Sequence, residues 1–380
     1  MLAAAYAARV ATRLSGLCSR EWDAVVIGAG PSGGVAAAVL AERGMRVLVV
    51  DSRPFPRAKV CGCCLAPAGA SALRRAGLGG ALRGATELGT LRMAARGASL
   101  RLPIERYCTI ERTRLDSEIV RGAEERGAEF ACGVRARVLD DDGVELSIGE
   151  ARGVARGRVV VVADGLCGSA LRGRGEFAWR IDVGSPVGVG AVLDERPEHA
   201  APGEITMVCG HGGYVGAAPL PGGRWAVGAA LSARAVGEWG AAGAIAAVLA
   251  ECGFGAPAFG RGGLRGVGQL TRRRASCGRG RVLVVGDAAG YVQPLTGEGM
   301  SWGIACAARL GEHAARAAAG EDVGRAWASE CARALRGRRL LCRGVCAVTR
   351  HPMALGAVLR AGAWLPGTGW ASRRLCWGPV

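Results

Sequence analysis

DAVVIGAGPSGGVAAAVLAERGMRVLVVD, residues 23–51, is the stretch on which the fold of this chain turns. It opens with an apolar run to Ile27, breaks at a glycine-rich turn, continues through alanines, and closes with a second apolar run that ends in an acid. Short apolar runs bounded by glycine read as buried strands, and the alanine-rich stretch between them as a helix. The turn is Gly28-Ala29-Gly30-Pro31-Ser32-Gly33. Gly28 permits the tight turn, Gly30 lets the backbone approach a pyrophosphate, and Gly33 allows the helix to pack on the strand, with Pro31 and Ser32 at the helix start facing the phosphates. Asp51 stands where a carboxylate takes ribose hydroxyls, which favours FAD or NAD over a 2′-phosphorylated nucleotide.

Outward from this βαβ unit, Ala66 to Ala76 reads as a short helix, and brief β-like runs follow at Leu91–Met93 and Ser99–Pro103. RTRLDSEIVRGAEERG, residues 112–127, spaces Leu115, Ile119 and Val120 on one helical face. Phe130–Val138 and Val144–Ile148 read as a hairpin, and Gly157–Gly165 as an apolar strand entering an acid–glycine turn. Alternating segments from Trp179 to Leu231 predict an antiparallel sheet, followed by a helix at 235–250. RVLVVGDAAG, residues 281–290, repeats the strand and glycine turn; a helix over 301–319 and an arginine-bearing helical tail complete the chain. Strand–turn units at both ends predict an α/β protein whose nucleotide-binding domain is discontinuous (21–80, 105–175 and 276–335), interleaved with a substrate domain (81–104 and 176–275). Residues 1–20 read as an N-terminal extension in preference to a targeting peptide, and 336–380 as a helical tail.

Composition narrows the function classes. The net charge is +17, but Lys59 is the only lysine, and the arginines are scattered among acids without interleaved aromatics. That argues against a nucleic-acid partner. Fifteen cysteines lack an even framework, so disulfides are not expected and a reducing, cytoplasmic setting fits. Cys61, Cys63 and Cys64 have no second pair or histidines at zinc-ligand spacing, so no metal is expected. No stretch reads as a transmembrane span.

Four segments together resemble the FAD-dependent geranylgeranyl reductase family, within the wider group of hydroxybenzoate-type hydroxylases. They are the βαβ unit; RPFPRAKVCGCCLAP, residues 53–67; the R-x-x-L-D pattern at Arg112, Leu115 and Asp116; and GDAAGYVQPLTGEGMSWGI, residues 286–304. The resemblance implies a Rossmann-like FAD domain built from discontinuous segments, with an antiparallel sheet over the flavin. It implies that Ser52 and Arg57 follow the ribose acid at the cofactor and that Arg112 reaches toward it. It also implies that Asp164 lies in a turn between fingerprints, and that Asp287 after Gly286 holds a ribityl hydroxyl. Pro294, Gly297, Gly299 and Met300 lie in a glycine-rich loop before a helix, so backbone N–H groups of that loop can face an electron-rich flavin edge. The resemblance implies that Lys59, Cys61 and Gly62 pass beside the flavin ring, which makes them the candidates for chemistry there. A compact ammonium shifts its pKa on burial as a guanidinium does not, and Cys61 reads equally as a polarizable wall, a proton source or an inert thiol. Cys63 and Cys64 depart from the family, where smaller or acidic residues stand.

The resemblance implies reduction of isoprenoid double bonds by NAD(P)H through FAD, with an aromatic or polyketide hydroxylase as alternative and a non-catalytic flavin-binding protein as a lesser one. Lys59-Val60-Cys61-Gly62 and Gly290 are similar to the reductases, and the W-x-W-x-I-P motif of flavin halogenases is absent. The substrate is expected to be small and apolar or aromatic; a long isoprenoid implies peripheral contact with a membrane. His211, Tyr214 and Trp225 fall in the middle sheet, which would face the flavin's reactive side in such a fold; for His211 a structural role is the simpler reading over that of an acid. Oligomeric state is not encoded in any pattern here.

Overall fold

The computed structural model describes residues 11–59, 61–260, 263–293 and 297–364. The strand Glu21–Ile27 is the centre of a parallel sheet, flanked by Val47–Asp51 (Ala24 opposite Val47) and by Ala151–Val162 (Ala24 opposite Val159). Val282–Val284 and Glu129–Cys132 extend it on either side. Val47–Asp51, Val282–Val284 and the Val159–Val162 end of Ala151–Val162 are buried throughout because both faces are covered there. Helices Pro31–Glu42, Arg112–Glu124 and Gly299–Ala307 share one face. A methyl on Gly34 would come within 2.6 Å of Ile119 Cγ2, so this glycine sets the distance between the first two helices.

A second sheet has the strand order 265–269, 187–193, 225–231, 213–219, 204–210, 86–95, 98–109, 64–65. Its neighbours are antiparallel except for Glu204–Gly210, which runs parallel to Thr86–Ala95. The helix Ala233–Ala250 covers one face, burying Val208, Val215 and Val227, while Ile205, Met207 and Tyr214 point to the other. A three-stranded sheet (179–181, 272–274, 290–291) and two C-terminal helices, Gly324–Thr349 and Pro352–Trp364, complete the described chain.

Several expectations change. Phe130 belongs not to a hairpin but to the edge of the parallel sheet, because Gly133, at φ 74°, turns the chain; the hairpin is Arg135–Val138 with Gly143–Ile148. The two brief runs near Leu91 and Ser99 are long paired strands, Thr86–Ala95 and Ala98–Thr109. The helix read over 301–319 is two, Gly299–Ala307 and Leu310–Ala318. Residues 11–20 of the expected extension pack onto the domain: Leu14 and Leu17 are buried beneath the hairpin, and Trp22 Nε1 donates to the Leu17 carbonyl at 3.0 Å. The tail beyond 364 and the first ten residues lie outside the described residues.

Candidate functional site

The glycine turn is enforced sterically. Gly28 sits at φ +101°, and a Cβ there would stand 2.7 Å from the Ala163 carbonyl carbon; a Cβ on Gly33 would overlap the Gly28 carbonyl. Gly30 precedes the helix, with Pro31 in its first turn, where no N–H is needed. Ser32 touches the second fingerprint: a Cβ on Gly286 would lie 2.5 Å from its Oγ. Asp51 is buried, accepting from Ala29 N and Arg53 N, each at 2.9 Å.

Two guanidinium groups converge above Gly30. Arg112 is buried rather than on a solvated helix face, and forms a bidentate pair with Asp116 at 2.8 and 2.9 Å. Arg57 Nη2 lies 3.4 Å from Asp51 and 3.5 Å from Asp116, and its buried Nε has no hydrogen-bond partner among the described residues. A Cβ on Gly30 would lie 3.3 Å from Arg57 Nη2 and 3.7 Å from Arg112 Nη2. A glycine cradle, a helix N-terminus, an orphaned guanidinium nitrogen and a ribose-side carboxylate fit a dinucleotide pyrophosphate.

From this cradle a cavity of about 860 Å³ runs to the second sheet. Ser52, Lys59, Cys61, Gly62, Asp164, Asp287, Gly297, Gly299 and Met300 line one side. Ile205, Met207, Tyr214, Leu270 and the glycines 188, 216 and 228 line the other. Gly62 rests on Gly228, whose Cβ position is 3.6 Å from the Gly62 Cα, and the Gly297 Cβ position is 2.7 Å from Cys64 Cβ. Residues of all four sequence segments, Asp51, Cys61, Arg112 and Asp287 among them, therefore meet at this cavity. Pro294 lies outside the described residues. Two middle-sheet candidates do not reach the cavity. His211 sits in an exposed turn bonded to Glu251 at 2.8 Å, and Trp225 is buried on the opposite face against the helix Ala233–Ala250. Tyr214 does line it.

The sequence of residues 21–179 matches the FAD binding domain family. Menaquinone reductase of Mycolicibacterium smegmatis is 30% identical over 312 residues, covering 74% of this chain and 73% of the relative. Digeranylgeranylglycerophospholipid reductase 2 of Methanopyrus kandleri is 30% identical over 327 residues, covering 80% and 79%. The chain belongs to the FAD-dependent geranylgeranyl reductase family. It is accordingly an FAD-dependent oxidoreductase. The flavin-dependent brominase Bmp2 superimposes with a TM-score of 0.79 at 18% identity, over 94% of this chain and 95% of that one, which shows a shared fold.

In this reductase-family chain the charges around the cavity oppose one another. Burial raises the Asp287 pKa, while Lys59 and Arg112 pull it down. Burial lowers the Lys59 ammonium, Arg112 adds to that, and Asp287 opposes it; its Nζ stands 2.9 Å from the Cβ position of Gly165. Asp164 is raised by burial; its Oδ2 accepts from Ala170 N at 2.9 Å and its Oδ1 has no partner among the described residues. Two further residues escaped the sequence reading. Arg274, within an arginine run that looks like surface charge, is buried on Trp179 and donates to the Ala288 and Phe177 carbonyls at 2.7 Å, fixing the turn after Asp287. Tyr291 packs against Gly299, whose Cβ position is 2.7 Å from its ring. The signal for Tyr291 was one large aromatic directly after a run of small residues.

Proposed function

We propose that this chain reduces carbon–carbon double bonds of an isoprenoid or similar apolar substrate, with NAD(P)H as electron donor and FAD as carrier. The observation that carries this reading is the cavity: one wall is the dinucleotide cradle, the other an apolar sheet face kept shallow by glycines. Met207 Sδ lies 2.5 Å from the Cβ position of Gly216, so any side chain there would displace Met207 and narrow the slot. Such a slot suits a long apolar chain better than a polar ring clamp.

Within it, the glycine turn and helix start would hold the pyrophosphate with Arg57 and Arg112, Asp51 the adenosine ribose, and Asp287 a ribityl hydroxyl. Gly297, Gly299 and Met300 would border the flavin edge. Bound FAD would supply hydride chemistry. Lys59, with its lowered pKa, would hold or release a proton beside Asp287 and Asp164.

A lipid-like substrate also gives meaning to the C-terminal segment. From Cys331 to Val380 there are nine arginines (333, 336, 338, 339, 343, 350, 360, 373 and 374) and no aspartate or glutamate. Leu340, Leu341, Val348, Met353 and Val358 are exposed on its two helices. Among the described residues no helix is long and apolar enough to cross a membrane. Arginines flanking exposed apolar side chains instead support peripheral contact with an anionic lipid surface.

The test is NAD(P)H reduction of the flavin with air excluded, then addition of a prenyl lipid. Reoxidation by the alkene supports the proposal. Oxygen consumption that depends on substrate and yields an oxygenated product would replace it with a hydroxylase.

A further inference from the structure

The cysteines at 61, 63 and 64 are used by nothing described so far. We propose that Cys61 and Cys63 form a redox-active dithiol that exchanges an electron pair with the flavin. This rests on FAD occupying the cavity that Cys61 lines together with Asp287, Gly299 and Met300.

The geometry of the turn carries the inference. Cys63 N donates to Cys61 Sγ at 3.3 Å, and Cys63 Sγ donates to the Cys61 carbonyl oxygen at 3.7 Å. Cys63 adopts φ 57°, a left-handed conformation that residues with a Cβ seldom take. Gly62 between them is exposed and lies beside Gly228, 3.6 Å from its Cβ position. A disfavoured backbone conformation is thus maintained where it holds two cysteines on one tight turn, Cys61 at the cavity wall and Cys63 buried behind it against Leu220 and Ala226. Cys64 is different: it is buried, donates to the Gly62 carbonyl at 3.2 Å, and its pKa is pushed well up by burial.

The pair is also chemically unequal. The Cys63 thiol, followed by the charge of Arg112, holds Cys61 down at about 6, while Cys63 is buried and pushed up. One thiolate facing the cavity with one protonated thiol behind it is the arrangement found in dithiol redox centres. The step balances. The Cys61 thiolate and Cys63 thiol lose two electrons and one proton as the Sγ–Sγ bond forms. Oxidised flavin takes up both electrons and that proton, becoming the reduced anion. Run in reverse, reduced flavin opens the disulfide. The loaded protein then stores two electron pairs, one on the flavin and one on sulfur.

The experiment is an anaerobic dithionite titration of the aerobically purified, FAD-loaded protein, with peptide mapping in the absence of reductant before and after. The expected result is two reductant equivalents per FAD and a Cys61–Cys63 cross-linked peptide that is lost on reduction. Cys63→Ser should take one equivalent. One equivalent in the wild type, free Cys61 and Cys63 thiols in the oxidised protein, or a cross-link confined to another pair such as Cys306–Cys331 would each overturn the proposal. A wild-type protein that binds no FAD would overturn it too, and is recognised separately by the missing flavin absorbance. The wild-type stoichiometry and map decide the matter even if the substituted turn fails to fold.

Discussion

Asp287 is the residue on which the site converges, because burial, Lys59 and Arg112 all act on its carboxylate. Asp287→Ala should weaken FAD binding on the order of 10- to 100-fold, the range for losing a hydrogen bond to a charged group. Flavin absorbance of the purified variant measures this, and a fully yellow protein would remove Asp287 from the site. Lys59→Arg keeps the positive charge but not the readily shifted pKa. It should retain FAD and slow turnover on the order of 100-fold; an unchanged rate would refute a proton role. For Cys61 the lowered value sets the sign: the thiolate is the reactive form, so in the reduced protein alkylation should rise with pH with its midpoint at about 6. A midpoint near the ordinary thiol value would contradict the Cys63 and Arg112 contacts. Lys59 stood out in the sequence as the only lysine and Cys61 and Asp287 were picked out by the family resemblance, and all three line the cavity. Arg274 was not legible, because only tertiary packing distinguishes a buried arginine from its two neighbours in the same run.

Among the elements, the first strand, glycine turn and helix could be read directly, since hydrophobic period and turn chemistry are local signals. The pairing of Glu129–Cys132 with Val47–Asp51 could not, because partners about eighty residues apart leave no local mark. The parallel contact between Glu204–Gly210 and Thr86–Ala95 was hidden for the same reason. The N-terminal helical stretch shows how packing decides what composition does not: residues 1–20, with three arginines and no acid, read as an extension outside the domain in preference to a targeting peptide, yet Leu14 and Leu17 are each 3% exposed. Leu14→Ala should therefore cost about 2–5 kcal/mol of stability. Denaturant unfolding checks this, and a cost within about 0.5 kcal/mol, as at a surface site, would mean the segment is not packed.

For the molecule as a whole, charge asymmetry is the feature that composition alone misled on. A net charge of +17 spread over the chain says little, but an acid-free final segment bearing exposed leucines has a direction. Flotation with vesicles should show binding to anionic lipid, weak binding to zwitterionic lipid, and loss at high salt. Replacing Arg336, Arg343 and Arg350 with serine should weaken it on the order of 100-fold, at roughly 1 kcal/mol per charge. Equal binding to both lipids, or a salt-resistant dimer in place of vesicle binding, would contradict the surface assignment.

The central claim, that a flavin in this cavity passes hydride to an apolar double bond, is tested most directly in a single vessel with air excluded. NAD(P)H-reduced protein is mixed with a prenyl lipid, and flavin absorbance and product mass are followed together. The account predicts that absorbance returns as the lipid gains two hydrogens. Flavin that stays reduced until air is admitted, and then yields an oxygenated product, would contradict it.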